Sequence, residues 1–312
     1  EYRIYFILPV LISVLALNAQ TQHWAFAAAM LGAFIALITS YGLGLGWWQI
    51  EGAQLSLANR IYHGFIMSSF LLACLLIGRE CTGVIRMIAY LVALLAAYNV
   101  LNVEQGRTGY LQVAVVSVTF ALLTYSRIQA VFAVVGAIIL LGTSYLSFEN
   151  FQARVNGSLI NVEKMVVRDD YRSSAGFRLE FYRGAINIGL DHPLTGVGVG
   201  DVADTLQSRA DSGEIRVLTD NVHSEFMNMF VAGGFPALFL FSGFVGAIIY
   251  SGCSVRGRSR YLGDALIGIG VIVVVSAFFN STIKDYGEKH ALIIILSVLA
   301  AQMLARRELA DV

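Results

Sequence analysis

Nine mostly apolar runs punctuate this chain, at roughly 4–19, 24–46, 61–79, 82–100, 110–126, 129–148, 224–250, 264–282 and 289–305. Each comes close to the about 20 residues that a helix needs to cross a bilayer. The runs are continuous rather than alternating, so they predict spanning helices and not barrel strands. The fold class expected is all-α: a polytopic transmembrane helical bundle. About six helices fall within 1–148 and about three within 223–312. Between them lies one long polar segment, 149–222.

That segment differs from the rest. It holds 19 of the chain's 42 charged residues, 11 acidic and 8 basic. It is far longer than an ordinary connection, and loops of that length are usually functional or disordered. Order is expected here, because Gly176–Leu190 reads as an amphipathic helix. Phe177, Phe181, Ala185 and Ile188 share one face at helical spacing. Asp191-His192-Pro193 ends the helix, since a residue before proline is pushed out of the α region.

Composition and charge placement sharpen this picture. The chain is 57% hydrophobic and 13% charged, about half the charge of a soluble domain. Lipid must therefore cover most of its exterior. The net charge of +0 suggests no nucleic-acid partner. Cys74, Cys81 and Cys253 fit no disulfide framework, zinc motif or redox motif.

Arg79, Arg127, Arg256, Arg258, Arg260, Arg306 and Arg307 flank one set of helix ends. Arg3, Arg60, Arg107, Lys284 and Lys289 flank the other. The richer set belongs in the cytoplasm by the positive-inside rule. The loop then faces outward, with Trp47, Trp48 and Tyr62 marking the same interface. This orientation puts the N-terminal end outside. An odd number of helices preceding Glu1 would reconcile that start with the lack of a signal sequence.

Three basic positions on the outward side suggest chemistry. Arg107, in Gly106-Arg-Thr-Gly-Tyr110, stands where a helix begins. Free N–H groups and the positive dipole end there favour an anion. A guanidinium adds a fork that matches phosphate oxygens. The plainer alternative is an interfacial arginine reaching for headgroups. Arg178 and Arg183 lie on the loop helix, where an arginine is most often just solvated. Glu180 pairs with Arg183 at i,i+3, which leaves Arg178 as the freer cation.

His223, in Asp220-Asn-Val-His-Ser-Glu-Phe226, lies where the loop meets the next helix. Histidine suits proton acceptance near neutral pH; a purely structural histidine is the alternative. Asn221, Glu225 and Asn228 would form one polar stripe. If the helix already included Asn221, His223 would point away from it, and Asp220 would be the better group to orient the imidazole. Thr195-Gly-Val-Gly-Val-Gly-Asp201 invites a nucleotide-loop reading, but it follows a helix and a proline rather than a strand. A tight, close-packed loop is expected instead, with an anion-binding nest as the weaker option. Asp169-Asp170 and Asp201 with Asp204 bring no ligand set, so no metal and no cofactor is expected.

Two patterns resemble the O-antigen ligase and polymerase family of membrane glycosyltransferases. One is Arg178 followed by Asp191-His-Pro-Leu-Thr-Gly-Val-Gly198. The other is His223-Ser-Glu-Phe226 followed by Gly233-Gly-Phe-Pro-Ala-Leu238. Gly106-Arg-Thr-Gly109 adds the arginine of an earlier helix. The likeness covers roughly 100–245. Ser224 stands where the family commonly has Asn, and Ala237 where it commonly has Gly. The family's roughly twelve helices would accommodate three more before Glu1.

The resemblance implies a multi-pass protein of the bacterial inner membrane whose active site faces the periplasm. It implies transfer of a glycan from undecaprenyl diphosphate to an acceptor hydroxyl. In a ligase, slightly preferred, the acceptor is lipid A–core, in lipopolysaccharide biosynthesis. In a polymerase it is another carrier-linked glycan. His223 would act as the base, and Arg107 and Arg178 would hold the diphosphate. Arg60, Arg183 and Lys284 are further substrate contacts, with Asp220 behind the histidine. Membrane lipids are the other partners expected. A transporter or flippase of lipid-linked sugars would use the same arginines without reacting. However, no internal repeat is seen, and the polar groups cluster at one surface.

Overall fold

A computed structural model describes residues 7–49, 60–104, 106–147, 172–216, 219 and 221–308, with scattered positions between 149 and 164. The described elements are all helical. They are α1 (Ile7–Ala16), α2 (Ala19–Gly44), α3 (Arg60–Glu80), α4 (Gly83–Tyr98), a π-helical segment (Asn99–Val103), α5 (Arg107–Thr124) and α6 (Arg127–Ser147). They continue with α7 (Ser174–Asp191), α8 (Val202–Asp211), α9 (Glu225–Val255), α10 (Arg260–Phe279) and α11 (Tyr286–Glu308).

Among the described residues, seven helices are long and apolar enough to cross a membrane: α2, α3, α4 with its π-helical extension, α5, α9, α10 and α11. Nine spans were expected. The two others appear as shorter apolar stretches, Ile7–Ala16 and Arg127–Gly136. The helix containing the latter continues to Ser147. The chain is thus a polytopic helical bundle.

The chain forms two compact units. The first comprises Glu1–Leu141, Ile248–Val273 and Ile283–Val312; the second comprises Gly142–Ala247 and Val274–Thr282.

In the first unit α3 is central. Phe65, Met67, Leu72 and Leu76 of α3 are fully buried, as are Val116 of α5, Leu262 and Ile272 of α10, and Leu292 of α11. Small residues permit the close approach of backbones, which drives helix packing where there is no water to expel. A Cβ on Gly64 of α3 would lie 3.1 Å from the Gly109 Cα of α5, and one on Gly268 of α10 would strike Leu72.

One end of this unit is tied by charge. Asp264, with its side chain 1% exposed, accepts from Arg79 at 2.5 Å and from Arg256 at 2.6 Å. Arg256 and Arg260 also donate to the Leu123 carbonyl at 2.6 and 2.9 Å, capping the C-terminal end of α5. Cations at a helix C-terminus complement its negative dipole end. Asp264→Ala would leave the Arg79 guanidinium, 10% exposed, with only the half-exposed carboxylate of Glu80 as an ion-pair partner. A loss of about 3–5 kcal/mol is expected, read as a clear fall in Tm of the detergent-purified protein. Asp264→Asn, which retains the shape, should fall less. An unchanged Tm for Asp264→Ala would show that the ion pairs add nothing.

The second unit is built on α7. Ser173 caps it, its hydroxyl accepting from Gly176 N–H at 3.1 Å. The apolar face expected from spacing is buried: Phe181, Ala185 and Ile188 pack with Val202, Leu206, Ile215, Val222, Val231 and Ala232, and Phe177 lies against them.

α9 is broken inside. Gly233 and Gly234 leave helical geometry, and Pro236 follows. Proline has no N–H to give the carbonyl four residues back, which is that of Ala232. Gly198 N–H supplies the missing bond at 3.0 Å. Val197 N–H donates to the Val231 carbonyl at 2.9 Å, and Phe235 N–H turns to the Pro193 carbonyl at 2.8 Å. The Gly-rich run is therefore the close-packed loop, stitched to the helix break. A Cβ on Gly196 would overlap the Gly233 nitrogen, and one on Gly234 the Pro193 carbonyl oxygen.

Candidate functional site

The structure gathers the candidate residues in two sets. In the first unit, three helices begin at the same end. Arg60 is the first residue of α3, Arg107 of α5 and Tyr286 of α11. Gly106 sits against Arg60; a Cβ there would be 3.4 Å from the Arg60 carbonyl oxygen. Gly287 sits against the Tyr62 ring. Arg60, Arg107 and Lys284 thus share one end of the unit, together with Lys289, whose ammonium donates to the Lys284 carbonyl at 3.3 Å. Helix N-termini concentrate unbonded N–H groups and positive dipole ends. Two guanidiniums placed there can grip an anion by paired donors. Glu104, three residues before Arg107, and Glu288, two after Tyr286, are both buried.

Just before Arg107 the chain runs through a network not anticipated from sequence. His63 Nε2 meets Asn99 Oδ1 at 2.7 Å. Asn99 Nδ2 donates to Ser40 Oγ at 2.9 Å, and Ser40 Oγ to Glu104 Oε1 at 3.2 Å. All four side chains are buried. The π-helical turn Asn99–Val103 carries Asn99 into this network. Single π turns inside helices often mark functional places.

In the second unit the histidine stands out by its backbone. His223 has φ 54°, the only positive φ at a non-glycine among the described residues. Such a conformation costs about 1–3 kcal/mol and persists only when its surroundings enforce it. Here Asn221 enforces it. Its Oδ1 accepts from His223 N–H at 3.0 Å, Asn228 Nδ2 at 3.3 Å and Ser281 Oγ at 2.5 Å. The Tyr182 hydroxyl lies 2.8 Å from the Phe278 carbonyl and 3.4 Å from that of His223. The imidazole rests on Phe181, with centroids 6.0 Å apart.

Arg178 lies one turn before Tyr182 on α7. Burial raises the Tyr182 phenol pKa, and the Arg178 charge opposes that rise. Arg183 behaves as its spacing implied, 3.8 Å from Glu180 with its own side chain largely exposed. Asp220 lies outside the described residues.

α9 begins at Glu225, so Asn221 is not helical and no stripe from 221 to 228 forms. Asn221 instead folds back on Asn228 and fixes the backbone of His223. Ser224 starts the helix: its Oγ accepts from Met227 N–H at 3.5 Å and donates to the Ala277 carbonyl at 3.1 Å. Ser and Asn are comparably good N-caps, so serine at this position preserves the local physics. A signal for Asn221 existed in the sequence: an Asn two residues before a His at a loop–helix junction is a frequent turn former. Tyr182 offered only its i+4 spacing from Arg178.

The helices and these two polar sets define a multi-pass membrane protein whose polar segment between spanning helices carries helices of its own, α7 and α8. Residues 89–242 match the family model described as O-antigen ligase, and that match supports placing the chain with the O-antigen ligases and polymerases. Members are membrane glycosyltransferase-like enzymes that use lipid-linked glycans and lipid acceptors. No curated protein sequence matches the chain. The matched span contains Arg107, Arg178 and His223.

Proposed function

We propose that the chain is an O-antigen ligase of the bacterial inner membrane, with its site on the periplasmic side. It moves a glycan from undecaprenyl diphosphate to a sugar hydroxyl of lipid A–core. The observation that carries this reading is His223, held in a strained backbone by Asn221 within the family-matched span. A base so fixed can take the proton of an acceptor hydroxyl as that oxygen attacks the anomeric carbon. The anomeric C–O bond to the diphosphate breaks on the opposite face, so the configuration inverts. The lipid diphosphate leaves with its charge increased. Arg107 and Arg178 are the groups assigned to that charge, which preorganised cations stabilise more in the transition state than in the ground state. Arg60, Arg183 and Lys284 are the secondary contacts. Guanidiniums in this role make the reaction metal-independent.

Arg107→Lys tests the fork. A point charge does not replace a planar pair of donors, so turnover should fall by about 10²-fold, as when one transition-state donor is removed. Activity near the parent level would make Arg107 a headgroup contact. The direct test of the whole reading uses purified protein with a carrier-diphosphate glycan and lipid A–core, without added metal. Transfer to lipid A–core is expected. Glycans that only lengthen on the carrier would identify a polymerase. Tight carrier binding without transfer would identify a transporter.

A further inference from the structure

The loop that closes the break in α9 exposes apolar side chains where a water-facing loop should not. Leu190 is 57% exposed, Leu194 73% and Val199 63%. They follow one another across the end of α7 and the stitched loop. The loop is held to α9 by backbone hydrogen bonds, beside the packing of Val197 on the core. Pro193 accepts from Phe235 N–H, Val197 donates to Val231, and Gly198 to Ala232. The loop cannot leave α9 without orphaning these groups.

α9 itself indicates where the bilayer starts. As a whole it has 31 residues, too long for one crossing of the hydrocarbon core. From the break to its end, Gly234–Val255 spans about 22 residues, or roughly 33 Å at 1.5 Å per residue. That matches the hydrocarbon thickness. This part carries no charged residue, and Arg256 follows it immediately. The preceding turns carry Glu225 and Asn228. The break therefore sits at the boundary between lipid and headgroups. Phe239 and Leu240, just beyond it, are 68% and 75% exposed on this apolar stretch. Phe235 stacks on Phe239, with centroids 6.1 Å apart. Leu194 is thus joined through the Pro193–Phe235 bond to the exposed apolar surface of that stretch.

We propose that Leu190, Leu194 and Val199 form a lip that inserts into the bilayer leaflet on the side where α9 begins, so that the loop is anchored at the interface. Lipid is the occupant because the lip continues the lipid-facing surface of α9. Irregular backbone is tolerated at that depth only when its polar groups are paired, and the three bonds to α9 pair the Pro193 carbonyl and the Val197 and Gly198 N–H groups. This inference does not depend on the transfer reaction.

The test uses the full chain in lipid nanodiscs, with Cys81→Ser and Cys253→Ser, and Cys74 left buried. An environment-sensitive fluorophore is attached at Leu194→Cys and, as a control, at Ser208→Cys on the polar exposed face of α8. Phosphatidylcholine bearing a nitroxide near the top of its acyl chain serves as quencher. The Leu194 site should emit at shorter wavelength and be quenched several-fold more strongly than the Ser208 site. Equal, water-like emission at both sites would overturn the proposal. So would a blue-shifted but unquenched Leu194 signal that grows with protein concentration, because another protein surface would then cover the lip. Should Leu194→Cys fail to fold, Val199→Cys carries the same expectation.

Discussion

His223→Ala should lower glycan transfer by at least about 10³-fold, within the range that a positioned general base contributes. Expression, carrier binding and Tm should stay close to the parent. Stability is largely retained because two hydrogen bonds that hold the local fold are made by the His223 backbone, its N–H to Asn221 Oδ1 and its carbonyl to the Tyr182 hydroxyl, while the ring contact with Phe181 is lost. Alanine retains both groups. The loss should appear in kcat rather than KM, since a base acts as the acceptor bond forms. A companion variant, Asn221→Ala, removes the group that enforces φ 54° while leaving the imidazole in place. It should lower kcat as well, by a smaller factor. Retained turnover in His223→Ala would remove it as the base.

Gly234→Ala should be the most damaging single methyl in the second unit. Gly234 has φ 63° and ψ −157°, a region open essentially to glycine alone. A Cβ would also overlap the Pro193 carbonyl oxygen. That oxygen is the acceptor for Phe235 N–H, so the overlap breaks the bond that closes the helix break. Strain and the lost bond together should cost about 3 kcal/mol or more. Thermal unfolding in detergent is the measurement. Gly243→Ala is the control, since a Cβ there meets nothing within 4 Å; it should be neutral, or stabilise by about 0.5–1 kcal/mol through helix entropy. A Gly234→Ala protein as stable as the parent would mean that the loop is not locked to α9 as described.

Much of this was legible in the sequence because it rests on local properties. Continuous apolar length alone dictates a spanning helix, since an unpaired peptide group in lipid is too costly. The face of α7 followed from a period of 3.6, and its end from His192-Pro193. Arg107 at a helix start and Arg183 beside Glu180 were likewise matters of spacing. The two motifs carrying the family resemblance, Asp191–Gly198 and Gly233–Leu238, were visible only as separate strings.

Only the tertiary structure showed that these strings are halves of one joint, with the N–H groups of one satisfying carbonyls that the glycines and proline leave open in the other. Only the tertiary structure started α9 at Glu225 and so gave Asn221 to the His223 backbone. It also linked Ser40, His63, Asn99 and Glu104 across three elements. The physical reason is the same each time. Hydrophobic period and chain-breaking residues act over a few positions and can be read along the chain. A polar group is satisfied by whichever partner folding brings within 3 Å, and that partner can be 40 or 60 residues away.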